Sequence, residues 1–324
     1  MVAEQIAILT VSLLVLARSA QVLNDKAIVL ARFFKIGEAA IGFLLLSVAT
    51  SLPELAISIM AALKGESSIS VGNVLGANTS DLTLVLGISA LLGTVAFTSK
   101  ETRKLAKILL LASAIPIVIL ALNFGRAWSP ALAGIFEVLN SITGIGLLAC
   151  FAAYAYFVLR EEITEDYGEK VTAKQAVSSA FFFSIALFFL VASSNLVVDS
   201  AIMISELMGL SKSVVAATII SLGTTLPELT VTAIAVRGKH KELGIGNAIG
   251  SCIVNLTLIL GTSAVLNPLA ANLTAFMVLV FFYLGAVSLL WYLVLKRGRI
   301  GRGEAAILLG YYATFVFLST QIRI

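Results

Sequence analysis

Long uncharged apolar runs recur along the whole chain and constrain its fold more than any other feature. Examples are Ile108–Leu122, Phe181–Val191 and Phe276–Leu295. A helix of about 20 mainly apolar residues crosses the hydrocarbon layer of a bilayer, which is about 30 Å thick. Because lipid offers the backbone no hydrogen-bond partners, segments that span it must be helices or closed barrels. The runs therefore predict membrane-spanning helices.

The composition excludes several classes of function. Of the 324 residues, 59% are hydrophobic and 12% are charged, whereas soluble domains are about half apolar and about a quarter charged. The net charge of +4 comes from Lys and Arg in loops, so it bears on membrane orientation rather than on nucleic-acid binding. The sequence has no phosphate-binding loop or dinucleotide fingerprint. We expect an all-α membrane protein that is not an enzyme and binds no nucleic acid.

The loops predict the number of helices and their orientation. Ten spans leave sixteen Lys and Arg residues in one set of alternate loops and four in the other. Cytoplasmic loops carry the excess of positive charge, so this bias places both termini outside. No cleavable signal peptide is evident. We expect a multi-pass protein of the cell membrane, monomeric and surrounded by lipid.

An internal repeat divides the chain into two halves. SVATSLPELAISIMAA at 47–62 matches SLGTTLPELTVTAIAV at 221–236, and 70–87 matches 244–261, all at an offset of 174. Such self-similarity indicates a duplication. Five crossings separate equivalent points, so the copies face opposite ways, which is a recurring transporter architecture. The predicted units are a five-helix repeat at 1–160, a cytoplasmic linker at 161–174 and a second repeat at 175–324.

A proline followed by a glutamate marks the same point in each half. Pro53 and Pro227 cannot donate to the carbonyl four residues earlier, so each breaks its helix. Freed carbonyls in a membrane cost several kcal/mol each unless they line a cavity or find a partner, and a dehydrated cation is such a partner. Glu54 and Glu228 come next. A carboxylate at membrane depth marks an ion or proton path by default.

The second repeated segment, at 70–87 and 244–261, adds further oxygen atoms. Asn73, Ala77 and Asp81 are spaced by four residues, as are their counterparts at 247, 251 and 255, and this spacing places each trio on one helical face. We expect both glutamates, the freed carbonyls, nearby Thr and Ser hydroxyls and the pair Asp81 and Asn255 to converge around a pseudo-twofold axis. Oxygen ligands with carboxylates favour hard cations such as Ca²⁺. Three ionised carboxylates would balance three Na⁺, or leave one negative charge beside one Ca²⁺.

At these motifs the sequence resembles the cation/calcium exchanger superfamily, and within it the prokaryotic sodium/calcium exchangers. The matching segments run from Ala49 to Glu54 with Gly72 to Asp81, and from Gly223 to Glu228 with 246–255. The resemblance covers essentially the full chain. It implies antiport of Ca²⁺ against Na⁺ by alternating access, in which the first and sixth helices slide across a fixed core.

The resemblance also implies which residues bind the ions. Both glutamates and the carbonyls of Thr50 and Thr224 would hold Ca²⁺, other Ser and Thr residues would form flanking sodium sites, and Asp81 and Asn255 would border the centre. The full predicted set is Glu54, Glu228, Thr50, Thr224, Asp81, Asn255, Ser51, Thr225, Ser251, Ser47 and Ser221.

Two other functions stay open at this point. Ala77 stands where the family usually has Ser, which weakens one sodium site and leaves H⁺/Ca²⁺ exchange as a rival, with H⁺ as the counter-ion. Gly76 and Gly250 occupy places where the proton-coupled branch typically carries Glu, which argues against that rival. A cation channel is the third alternative, but it would need a continuous pore with weak serial sites.

Overall fold

The computed structural model describes residues 2–33, 46–96, 113–119, 121, 135–161, 171–238 and 241–321. These residues are almost entirely helical, as the apolar runs predict. The labelled helices are α1 (Val2–Phe33), α2 (Leu46–Thr50), α3 (Leu52–Leu63), α4 (Ser67–Leu92), α5 (Ser141–Glu161), α6 (Ala173–Met208), α7 (Lys212–Thr224), α8 (Leu226–Arg237), α9 (Lys241–Val254, Asn255–Ile259 and Leu260–Leu266), α10 (Leu273–Arg297) and α11 (Arg302–Ser319).

Several of these helices are long and apolar enough to cross a membrane. Five described helices meet that condition alone: α1, α4, α6, α9 and α10. Helices α7 and α8 meet it together as a broken span with a bend of 43°. The predicted count of ten crossings remains a prediction, because parts of the predicted spans 38–63, 105–123 and 130–158 lie outside the described residues. Residues 162–170 of the predicted linker also lie outside them.

The two halves repeat the same local structure at the same offset as the sequence. The break between α2 and α3 at Ser51 recurs between α7 and α8 at Thr225. A π-helical turn interrupts α4 at Asp81–Val85, and another interrupts α9 at Asn255–Ile259. Turns of this kind are rare and are frequently found at functional sites. Both of these turns begin at a residue of the predicted ion site, and α7 contains a further π turn at Ala216–Ile220.

Two pairs of short strands among the described residues join the two halves. Strand β1 (Val95–Ala96) pairs with β4 (Arg299–Ile300), and β2 (Ile135–Leu139) pairs with β3 (Leu269–Asn272), both antiparallel. Each pair therefore takes one strand from the first half and one from the second. These strands could not be predicted from the apolar runs, because segments of two to five residues leave no periodic pattern.

Two apolar clusters surround the central helices. One cluster joins α1 and α6 to α3, α4 and α7, through residues such as Leu16, Ile57 and Val197. The other joins α4 and α9 to α10 and α11, through residues such as Leu82 and Phe315. In their apolar windows α4 is 83% buried and α9 78%, whereas α6 is 33% buried. Helices α4 and α9 therefore form the centre, and α6 lies at the periphery.

Candidate cation site

The two helix breaks have nearly the same backbone geometry. Ser51 has φ −84° and ψ 8°, and Thr225 has φ −79° and ψ 3°. Pro53 and Pro227 occupy the second position of the following helix in each case, where a missing N–H is tolerated. The sequence prediction of proline-broken helices is therefore confirmed at both positions. Each break places a glutamate in the first turn of a new helix, where the helix dipole favours a negative charge.

The site contains three buried carboxyl groups that lack well-aligned hydrogen bonds. Glu54 and Asp81 are 0% exposed and Glu228 is 1% exposed. None of their six carboxyl oxygens has a hydrogen-bond partner among the described residues. Glu228 lies near enough to Glu54 and Asp81 for their charges to interact. Buried charges are costly unless they are paired or coordinate a cation, so this group of acids has the character of a cation site.

Each glutamate lies beside a threonine from the other half of the chain. The Thr224 side chain approaches Glu54, and the Thr50 side chain approaches Glu228. This crosswise arrangement follows from the repeat, because the same contact is made twice with the halves exchanged. It brings together the four residues that the sequence places at the centre of the site.

The hydroxyl of Thr50 also contacts the central helix α9 of the second half. Thr50 Oγ1 lies 3.2 Å from Ser251 Oγ and donates to Asn247 Oδ1 at 3.2 Å. The equivalent hydroxyl, Thr224 Oγ1, donates to the carbonyl oxygen of Ser221 at 3.3 Å. Its counterpart to Ser251 is Ala77, which has no hydroxyl. The two flanks of the site therefore offer different numbers of oxygen atoms.

Glycines let a core helix approach the site closely. A Cβ atom on Gly72 would overlap the backbone of Ser213, and one on Gly76 would overlap the backbone of Ala217. Small residues allow such approach between membrane helices. The contact holds α4, which carries Asp81, directly against α7, which leads to Thr224.

The other predicted ligands are also buried, but they contact different groups. Ser47 packs against Gly250, and Thr225 Oγ1 donates to the carbonyl oxygen of Ser221 at 2.9 Å. Ser51 Oγ has no partner among the described residues. Asn255 Nδ2 donates to Asn78 Oδ1 at 2.9 Å rather than to a carboxylate.

Carboxylates alone cannot complete the coordination of an ion here. Within the described ranges, no three Asp, Glu, His or Cys side chains lie close enough together to hold one metal ion. Hydroxyl, amide and carbonyl oxygens would therefore have to supply the remaining ligands, which suits a hard cation with six to eight oxygen neighbours.

Comparison with known proteins agrees with this geometry. The family model described as "Sodium/calcium exchanger protein" matches residues 4–160 and 178–321. The chain belongs to this family. The sodium/calcium exchanger MaX1 of Methanosarcina acetivorans is 28% identical, over 98% of each chain. The inner membrane protein YrbG of Escherichia coli is 28% identical over 81% of this chain and 80% of its own.

A solved structure within the sodium/calcium exchanger family has the same fold. The sodium-calcium exchanger NCX_Mj, soaked with 10 mM Na⁺ and zero Ca²⁺, superposes with a TM-score of 0.62 and 25% identity. The alignment covers 98% of this chain and 99% of that one. The resemblance stated from the motifs is therefore confirmed at the level of the family, and the chain is a multi-pass membrane protein of the exchanger type.

Sequence reasoning placed Asn73 on the helical face of the site but gave it no role, and it missed Asn78. Asn73 Nδ2 donates to the carbonyl oxygen of Glu54 and to Ser58 Oγ, both at 3.1 Å. Asn78 contacts both Cys252 and Asn255 across the centre. Asn78 and Cys252 are equivalent positions at the repeat offset of 174, and this equivalence is the sequence signal that could have identified Asn78. The four-residue pattern that selected Asp81 and Asn255 leaves out position 78.

Proposed function

We propose that this protein exchanges Ca²⁺ for Na⁺ across the membrane at a site between its two halves. The observation that carries the proposal is the crossed pair of buried glutamates, Glu54 and Glu228, each beside a threonine of the other half. A cation that enters such a site exchanges its water shell for protein oxygens. The family of the chain and the names of its relatives support Na⁺ and Ca²⁺ as the ions.

We further propose that the two halves are inverted repeats within a ten-helix fold. The matched helix breaks, the matched π turns and the reciprocal strand pairs support this arrangement. A site shared by two inverted halves can open to either face by a similar rearrangement, which is the basis of alternating access. The charge bias of the loops supports termini on the outside. Labelling of a cysteine at position 4 by a membrane-impermeant maleimide in intact cells tests that orientation.

The proposed ligands are the eleven residues of the sequence prediction. Glu54 and Glu228 would act together on Ca²⁺, since two carboxylates neutralise one divalent ion. Thr50 and Ser251 would supply oxygens on one flank, and Asn247, which is not one of the eleven, accepts a hydrogen bond from Thr50 there. Two Na⁺ or more would replace Ca²⁺ by sharing the same carboxylates, so that the two ions compete for one set of ligands.

Flux into proteoliposomes tests the proposal. An outward Na⁺ gradient at fixed pH should drive ⁴⁵Ca²⁺ uptake, and Glu54→Gln or Glu228→Gln should abolish it, because each variant removes one of the two charges that neutralise Ca²⁺. The matched control is Glu137→Gln, which makes the same change at an exposed carboxylate on β2 and should leave uptake intact.

Three outcomes of the flux experiment would contradict the proposal. Uptake driven by a pH gradient alone would favour the proton rival, which the missing hydroxyl at Ala77 keeps as the second candidate. Rapid flux that needs no gradient of a counter-ion would indicate a channel. Full activity of both glutamate variants would show that transport does not depend on this site.

A further inference from the structure

Equivalent positions of the two halves face each other where α4 crosses α9. Asn78 and Cys252 are 174 residues apart in the sequence. Asn78 Nδ2 donates to the carbonyl oxygen of Cys252 at 3.2 Å, and Cys252 Sγ lies 3.9 Å from the carbonyl oxygen of Asn78. Both side chains are completely buried. Asn78 and Cys252 therefore occupy equivalent positions in the two halves, but the two side chains are chemically different.

The carbonyl of Cys252 determines how the Asn78 amide is turned. A carbonyl oxygen can only accept, so it must face the NH₂ group of Asn78. The other end of the amide, Oδ1, then faces α9 and accepts from Asn255 Nδ2 at 2.9 Å. Asn255 in turn must present its NH₂ group to Asn78. One backbone carbonyl thus fixes the orientation of two amides in series.

The consequence is an amide oxygen of fixed direction on Asn255. With its NH₂ group held by Asn78, Asn255 directs Oδ1 away from that contact. This oxygen is buried and has no hydrogen-bond partner among the described residues. An oriented, unpartnered amide oxygen is a ready ligand for a hard cation.

The same contact decides which half can carry the third acid. A carboxylate at position 255 would bring an acceptor oxygen against Asn78 Oδ1, which is itself an acceptor. Rotating the Asn78 amide by half a turn would remove that clash, but it would bring Oδ1 against the carbonyl oxygen of Cys252. On the other side, Cys252 Sγ lies 3.4 Å from the carbonyl oxygen of Ala248 and presents no amide oxygen to Asp81, so no second fixed acceptor opposes a carboxylate at position 81. The crossing therefore accepts an acid at position 81 and an amide at position 255.

We propose that Asn78 is a positioning residue that turns the Asn255 oxygen toward the cation site and restricts the third carboxylate to position 81. The inference rests on the proposed function, since it assumes that the buried oxygens bind a transported cation. A purely structural role, in which Asn78 only holds α4 to α9, is the competing explanation.

The first test measures Ca²⁺ affinity directly, by equilibrium ⁴⁵Ca²⁺ binding to the purified full chain in detergent. Asn78→Leu keeps the volume of the side chain and removes both hydrogen bonds, and it should weaken binding about tenfold, the effect of one well-placed polar ligand. The control is Asn267→Leu, which removes another Asn-to-carbonyl bond between the halves, from Asn267 Nδ2 to Ala62 at 3.1 Å. It should change the affinity less than threefold.

The second test is a rescue that a structural role would not produce. Exchanging the acid and the amide, with Asp81→Asn and Asn255→Asp together, should abolish measurable binding while Asn78 is present. Adding Asn78→Cys and Cys252→Asn exchanges the crossing as well and should restore binding to within about tenfold of the wild type, because the halves are then simply interchanged. Each protein is first required to elute as a single species in size exclusion.

The results separate this proposal from the function on which it rests. The positioning role would be overturned if Asn78→Leu, or the exchange of Asp81 and Asn255 alone, bound Ca²⁺ with wild-type affinity. It would also be overturned if the variant that exchanges all four residues eluted as a single species and failed to bind Ca²⁺. Wild-type protein that binds Ca²⁺ but shows no Na⁺-driven uptake would overturn the proposed exchange and leave the binding results to decide the role of Asn78.

Discussion

Replacing Gly76 by alanine should separate two central helices of the exchanger. A Cβ atom at this position would overlap the Cα, carbonyl carbon and carbonyl oxygen of Ala217 on α7. Backbone atoms cannot rotate away as a flexible side chain can. Helices α4 and α7 would have to move apart by about 1–1.5 Å to restore ordinary carbon–carbon contact at about 3.5–4.0 Å.

The expected loss of stability follows from two opposing effects. Overpacking a close contact costs about 1–3 kcal/mol, and a backbone obstacle places Gly76→Ala near the upper end. Alanine is about 0.5–1 kcal/mol better than glycine inside a helix. The net destabilisation is therefore about 2 kcal/mol, which lowers the melting temperature by about 4 °C in a protein of this size.

The assay is thermal unfolding in detergent at one fixed scan rate, because membrane proteins often unfold irreversibly. The matched control is Gly310→Ala on α11, where a Cβ atom would meet nothing within 4 Å among the described residues. Only the gain in helix propensity applies there, so its melting temperature should rise by about 1–2 °C. A Gly76→Ala protein that melts at or above the wild-type temperature would refute the close-approach argument.

Two further substitutions test features at the site and at its edge. Ala77→Ser should give Thr224 the hydroxyl neighbour that Ser251 gives Thr50 at 3.2 Å, and it should steepen the Na⁺ dependence of Ca²⁺ uptake; an unchanged Hill coefficient would count against a sodium ligand at this position. Lys64→Met removes the ion pair with Asp199 Oδ1 at 2.5 Å, and because both groups are partly exposed the loss should stay below about 1 kcal/mol in thermal unfolding. A drop of more than about 5 °C would show that this contact between α3 and α6 carries far more than an exposed ion pair.

The sequence predicted those parts of the fold that depend on local chemistry. Proline cannot take part in the helical hydrogen-bond pattern, so a break within one turn before Pro53 and before Pro227 could be predicted. The burial of Glu54, Glu228 and Asp81 followed from charge within an apolar segment. The family followed from the same motifs, and the match over most of the chain confirms it.

Features that depend on tertiary contacts could not be predicted. The π turns at Asp81–Val85 and Asn255–Ile259 contain no glycine or proline that would announce them. The partners of Thr50 lie about 200 positions away, and only the packed structure shows that Asn247 lies beside it. Asn78 looks like an ordinary polar residue until its amide is seen between Cys252 and Asn255.

The reciprocal strand pairs have a consequence for biogenesis. Strands β1 and β2 leave the ribosome with the first half, whereas their partners at Leu269–Asn272 and Arg299–Ile300 are synthesised more than a hundred residues later. During that interval two strand edges are open, and open edges invite pairing with other chains. The first half therefore cannot complete either pairing until the second half has been synthesised.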